Sequence, residues 1–174
     1  MTETNRRMIL AQRPTGMVDD TIVTMEEAPV PEPGDGEYVV KVSHVSIDPT
    51  IRTWMDDAPG YLPPIGIGEV VRSGGLGTVV ASRNDEFPVG TTVFGMLGWQ
   101  DYALVDGTPG TGNVVPDGMD PTAVLSVFGV TGMTAYFGLL DVGEPKEGDV
   151  VVVSGAAGAT GSVVGQIAKL KGAG

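Results

Sequence analysis

The sequence predicts a β-rich barrel or sandwich followed by the first β-α unit of a parallel α/β domain. Three observations carry that reading. From Asn5 to Val115 short β-prone runs alternate with glycine- and proline-rich punctuation. At Asp117 the character changes to two short helix signals. Beyond Pro145 a continuous apolar run meets a glycine-rich turn and then an amphipathic stretch. Composition agrees. Of 174 residues, 27 are glycine, aromatics make up 6% and hydrophobic residues 41%, which favours short strands and tight turns around a packed core.

The β-prone runs are Arg6–Ala11, Thr21–Met25, Tyr38–Ile47, Ile67–Arg72, Thr78–Ser82, Thr92–Leu97 and Tyr102–Val105. Between them lie Pro29–Gly34, Ala58-Pro59-Gly60, Pro63-Pro64, Gly74-Gly75 and Pro109-Gly110. Strands at this spacing suit a small barrel or sandwich. In Tyr38–Ile47 apolar residues occupy both phases of the alternation, as in a strand at least partly covered on both sides.

Asp120-Pro121 reads as a helix start, an N-cap acceptor followed by proline at the first helical position. A helix is expected over Thr122–Phe128. Gly129 interrupts it, and Thr131 is expected to cap a second helix through about Leu140, stopped by Gly143 and Pro145. This pair predicts a bridge between two domains. The expected organisation is residues 1–118 as the β-rich domain, 119–145 as bridging helices and 146–174 as the start of the α/β domain.

Val150–Val153 is apolar throughout and predicts a strand covered on both faces, as in a parallel sheet. Ser162–Lys171 predicts a helix whose Val163, Val164, Ile167 and Leu170 face that sheet. Lys169 and Lys171 suit its negative end, and Gly172 the position just past it. Between strand and helix lies Gly155-Ala156-Ala157-Gly158-Ala159-Thr160-Gly161.

The pyrophosphate of a dinucleotide must come close to backbone amides, and a strand, glycine-rich turn and helix N-terminus provide them. Gly158 permits that approach and Gly161 permits close packing of helix on strand. The first glycine of the usual G-x-G-x-x-G is Ala156 here, with Gly155 one position earlier. No Gly-Lys-Ser/Thr follows, so the turn is not a P-loop. An ordinary tight turn is the alternative; the flanking strand and helix favour a dinucleotide. The residue that separates NAD from NADP should lie roughly 20 positions past the turn, beyond Gly174. One strand and one helix do not complete a doubly wound sheet, so the chain reads as truncated.

The remaining totals exclude several classes. Ten basic against 22 acidic residues give a net charge of -12, which disfavours nucleic acid and anionic membranes as partners. It does not oppose an anionic cofactor, because distant charge is screened. There is no cysteine, hence no disulfide, thiolate zinc site or cysteine nucleophile. Met1–Gly16 lacks the apolar core of a signal peptide, and no apolar run approaches the roughly 20 residues that span a bilayer. A soluble cytoplasmic protein is expected.

Four stretches together resemble the medium-chain dehydrogenase/reductase superfamily. They are Ile47-Asp48-Pro49-Thr50-Ile51-Arg52, Gly98-Trp99-Gln100-Asp101-Tyr102, Thr131–Leu140 and Gly155–Lys169. The resemblance is closest to the zinc-free branch of prostaglandin, alkenal double-bond and curcumin reductases. It implies an N-terminal GroES-like barrel followed by a Rossmann domain, with the active site in the cleft between them. It implies NADPH, with NADH not excluded, and hydride transfer to the β-carbon of an α,β-unsaturated carbonyl compound. Homodimers through the cofactor domain are common in the family. By resemblance, Gly158, Ala159, Thr160 and Gly161 contact the pyrophosphate, Met133 and Thr134 lie near the nicotinamide, and Gly95 and Met96 touch the substrate. The family's tyrosine after Asp-Pro is Thr50 here. Its most reactive tyrosine falls beyond Gly174.

Other candidates are weighed on the residues alone. Tyr61 and Tyr102 are the plausible phenolic donors; Tyr102 reads better as a packed strand aromatic with its hydroxyl at the rim, whereas Tyr61 sits in a Gly/Pro-rich loop of the kind that borders clefts. Trp99 and Met96 form either an apolar substrate wall or core. His44, the single histidine, lies four residues before Asp48 and in reach of a metal reading with Glu69. A hydrogen-bonded strand histidine is the stronger reading, and no metal is expected. Asp56-Asp57 reads as solvated. The competing functions are a quinone reductase of the same superfamily and a non-catalytic fragment or binding module.

Overall fold

The computed structural model describes residues 3–174, which divide into two compact units, one ending at Asp117 and one spanning Gly118–Gly174. The first unit is sheet-rich and GroES-like. Its N-terminal strand β1 (Thr4–Leu10) pairs antiparallel with β2 (Val23–Pro29). A five-stranded antiparallel sheet follows: β3 (Tyr38–Val45), β4 (Gly75–Ser82), β5 (Thr92–Gly95), β6 (Tyr102–Val105) and β7 (Gly112–Val114), in the spatial order β6-β3-β4-β5-β7. The helix α1 (Pro49–Trp54) lies between β3 and β4 in sequence.

Two apolar clusters hold this unit. Tyr38, Val40, Val79, Val93 and Ala103 centre the cluster on the five-stranded sheet, where Tyr38 stacks on Phe87 at 4.4 Å. Leu10, Ile22, Ile51, Met55, Ile65 and Val71 form the other, joining α1 to the β1–β2 ribbon. Burying such side chains supplies about 1.5–3 kcal/mol each.

Several strands differ from expectation, each for a local reason. Strand β2 starts later than Thr21, because the amide and hydroxyl of Thr21 both donate to Asp19 Oδ1 in a side-chain turn. Strand β4 starts earlier than Thr78. Gly77 belongs to it because a Cβ there would collide with the Lys41 carbonyl of β3, so only glycine pairs so closely. Ile67–Arg72 is not a strand. Gly68 has φ +85 and Glu69 folds back to accept from the Gly66 amide. The segment then threads between β1 and Trp99, with Val71 donating to Met8 and its carbonyl accepting from Trp99. Helix α1 was not anticipated as a helix.

The second unit contains α2 (Pro121–Leu125), α3 (Val130–Phe137), a π-helical turn (Gly138–Gly143) and α4 (Ala159–Leu170). The helices differ from expectation at their ends. Helix α2 stops at Leu125, and Phe128 donates back to Ala123 in a wide turn. Helix α3 starts at Val130 with Gly129 as N-cap rather than Thr131, whose hydroxyl donates to the Ser126 carbonyl instead. A Cβ on Gly132 would collide with the Val127 carbonyl, so α3 begins pressed against the end of α2. Helix α4 opens at Ala159, three residues before Ser162.

Helix α3 packs on α4. Leu139, Ala168 and Ala173 form the core there, with Val151, Val164 and Ile167 against them. Leu170, expected to face the sheet, is 86% exposed. Val150–Val153, expected as a strand covered on both faces, is neither: no strand forms there, and Val151 packs inward while Val150 and Val152 are exposed. Its backbone makes one parallel rung, with Gly174 donating to Asp149 at 2.9 Å and Val151 donating to Gly174 at 2.8 Å.

Candidate functional site

The glycine-rich turn is built to leave amides free. Gly155 takes φ +62, and the Gly158 amide donates to its carbonyl at 2.9 Å, closing the turn. Gly158 is then the N-cap of α4, and it carries no side-chain cap. Most helices satisfy their first N–H groups with a Ser, Thr, Asp or Asn at this position. Here the amides of Ala159, Thr160 and Gly161 have no such acceptor, and no acidic side chain occupies the first turn. The helix end therefore presents N–H donors and partial positive charge to an anion.

Gly161 has a steric duty: a Cβ would collide with the Gly155 carbonyl and lie 2.9 Å from Ala156 Cα. It lets the first helical turn press onto the loop backbone. Met133 and Thr134 lie in α3 of the same unit. Met133 is 46% exposed, and the Thr134 hydroxyl donates to the Val130 carbonyl at 2.7 Å.

In the sheet unit, Gly95 ends β5 between Gly75 and Gly112. A Cβ there would lie 2.5 Å from the Thr111 carbonyl, so its lack of a side chain is already demanded by β7. Met96, which follows, is half-exposed. Tyr61 is 76% exposed and lines a hollow of about 180 Å³ with Trp54, Leu62 and Pro64; neither Gly95 nor Met96 lines it. A larger hollow of about 430 Å³, absent from the sequence reading, is lined by Met8, Met25, His44, Val45, Ile47 and Trp99 among others.

The family-like motifs of this unit are architectural. The Asp48 carboxylate caps α1 by accepting from the Thr50 amide at 2.8 Å and from its hydroxyl, so Thr50 completes a cap. Arg52 ties the 14–16 segment through the carbonyls of Pro14 and Gly16 and pairs with Asp56 at 2.7 Å. Asp56 is thus an ion-pair partner and not merely solvated. Gly98, at φ +69, lets the chain turn beneath Val70. Trp99 donates from its ring to the Ser46 carbonyl at 3.1 Å, and its own carbonyl accepts from Met8. Gln100 bridges to Arg7.

Asp101 pairs with Arg6 at 2.7 Å, and that hydrogen bond holds its carboxyl below the usual carboxylate range. Buried Asn5 accepts from the Tyr102 amide at 2.9 Å and donates to its carbonyl at 2.8 Å. The Tyr102 hydroxyl donates to Glu3 at 2.7 Å, which with Lys41 nearby holds that carboxyl low. The motif is the seam that fastens β1 to the sheet, and Tyr102 is a packed strand aromatic. His44 Nδ1 lies 3.0 Å from the Ser43 hydroxyl. Asp48 and Glu69 are both occupied by backbone amides, and among the described residues no three His, Cys, Asp or Glu side chains converge.

Residues 6–112 match the family described as the N-terminal domain of oxidoreductase. The chain is 42% identical to the NADPH-dependent curcumin reductase of Escherichia coli K12, over 97% of this chain and 48% of that protein. It is 38% identical to prostaglandin reductase 1 of Mus musculus, over 90% and 46%. The crystal structure of CurA in complex with NADPH from Vibrio vulnificus superposes with a TM-score of 0.88 at 44% identity, covering 97% of this chain and 50% of that one. The chain spans about half the length of the curated relatives it matches.

Proposed function

Because the chain belongs to the medium-chain dehydrogenase/reductase superfamily, in the branch of prostaglandin, alkenal and curcumin reductases, we propose that it forms the N-terminal half of an NADPH-dependent enone reductase. The reaction is reduction of the carbon–carbon double bond of an α,β-unsaturated carbonyl compound, without zinc, in the cytoplasm, by a protein that dimerises through its cofactor domain. NADH is the second candidate donor. The observation that carries the reading is the uncapped N-terminus of α4 behind Gly155 and Gly158.

The residues present fit a dinucleotide. The amides of Gly158, Ala159, Thr160 and Gly161 would hold the pyrophosphate, with Met133 and Thr134 beside the nicotinamide. When bound, the cofactor supplies the hydride delivered to the β-carbon. The work of this chain is to position and to stabilise. Gly95 and Met96 border the acceptor at the end of β5, Met96 with half-exposed apolar surface, and the Tyr61 phenol, from the separate 56–64 loop, donates to the carbonyl oxygen as enolate charge develops there. A donor so placed contributes on the order of 10²-fold. A zinc-free reaction is supported by the absence of cysteine and by a single histidine paired to Ser43.

The test is NADPH oxidation by the reductase with an enone and, in parallel, a simple quinone. Enone turnover by protein free of stoichiometric zinc is expected. Turnover of the quinone alone, or of neither, contradicts the proposal.

A further inference from the structure

Segment 56–64 leaves the sheet unit after Met55 and returns at Ile65, beside its own start. Both ends are fixed. Met55 and Ile65 are 2% and 1% exposed and share one buried cluster. The Ile65 amide donates to the Trp54 carbonyl at 2.8 Å. One guanidinium nitrogen of Arg13 donates to the carbonyls of Met55 at 2.7 Å and Ile65 at 2.6 Å. A surface loop with so tight a neck is an Ω-loop.

The loop has a second brace, supplied by Arg72. Arg72 Nη1 donates to the Pro63 carbonyl at 2.8 Å, and the same guanidinium lies 5.8 Å over the Trp54 ring. Trp54 in turn meets Tyr61 edge-on, with ring centroids 6.1 Å apart and planes at 74°. Arg72 therefore reaches the loop twice, through the Pro63 backbone and through the ring on which Tyr61 leans. Tyr61 itself is 76% exposed, so little else in its surroundings fixes its direction. The ties that close the neck, Arg13 and the Ile65–Trp54 hydrogen bond, are independent of the Arg72 guanidinium. Stacking and donating from one planar cation is an arginine property; lysine keeps the donor without the stack.

We propose that Arg72 is a positioning residue for Tyr61: through Trp54 and Pro63 it fixes where the phenol stands, and so sets how bulky an enone the reductase accepts. This rests on the reading of the chain as half of an enone reductase.

Two measurements on the reductase test it. In Arg72→Gln, KM for a bulky aryl enone rises about five-fold, the scale of a lost cation–π contact with its hydrogen bond. KM for a small enal rises much less, KM for NADPH is unchanged, and Arg72→Lys recovers part of the loss. In selectively ring-labelled protein the Tyr61 signal moves toward the free-tyrosine position as the edge contact with Trp54 loosens, while the Ile65 amide stays slow to exchange. An equal rise in KM for both acceptors, or an unmoved Tyr61 ring signal, overturns the proposal. Failure of the underlying reading has another signature. Wild-type protein then turns over no enone, which removes the specificity claim, while the Tyr61 ring signal still responds to Arg72→Gln.

Discussion

The seam around Gly98–Tyr102 and the turn at Gly155–Gly161 both carry family-like motifs, and they are built in opposite ways. Along the seam the motif residues are engaged within the protein. Asp101 has Arg6, Tyr102 has Asn5 and Glu3, and Trp99 has Ser46 and Met8. At the turn the helix N-terminus has no cap, and its first amides are left to an outside acceptor. Engaged groups hold a fold together. Unclaimed donors at a helix end are a cost to folding that a bound anion offsets. The contrast separates side chains engaged in the architecture from helix-end amides with no side-chain acceptor, although both read equally well as motifs.

The largest expected effect breaks the contrast on the turn side. Gly161→Val drives a branched side chain into the Gly155 carbonyl, a collision worth about 3 kcal/mol. The displaced loop takes the helix-end amides out of position, so NADPH affinity of the reductase, followed by fluorescence titration, should fall by about tenfold or more. Retention of wild-type affinity would show that the helix end is not the anion site.

On the seam side, Asn5→Ala leaves the buried amide and carbonyl of Tyr102 without their partner. Denaturant unfolding of the sheet unit should report a loss of about 2 kcal/mol, with KM for NADPH unchanged. A variant that weakened cofactor binding as strongly as stability would erase the distinction.

The smallest effect is electrostatic. The Asp101 carboxyl is held low mainly by its hydrogen bond to Arg6. Its contribution is therefore complete above the ordinary aspartate pKa, about 3.9, and is lost as pH falls through the lowered folded value. The pair is partly exposed, at 62% and 33% for the two side chains, so Asp101→Asn should cost no more than about 1 kcal/mol at pH 7. The difference between variant and wild type should shrink below pH 4. A difference that grows on acidification would contradict the assignment.

Much of this was legible in the sequence, and the exceptions have physical causes. Asp120-Pro121 was read as a helix start, and its carboxylate does accept from the Thr122 amide at 2.8 Å. Asp48-Pro49-Thr50 carries the same signal and makes the same cap, yet it directly follows the strand-like run Tyr38–Ile47, which masks α1. Gly75–Gly77 hid the start of β4, since glycine has no strand propensity of its own and is placed there by the nearness of β3. Ile67–Arg72 has strand composition but is threaded singly between two neighbours, which no local pattern encodes. The backbone turn at Gly155–Gly158 is legible because glycine conformation and a helix start are local. The Arg72–Trp54–Tyr61 brace is not, because its members come from α1, a loop and a segment beyond it.

A structure of the protein with NADPH bound tests the central claim most directly. The pyrophosphate oxygens should lie within about 3 Å of the amides of Ala159, Thr160 and Gly161. A pyrophosphate held elsewhere, with those amides turned to solvent, would contradict it.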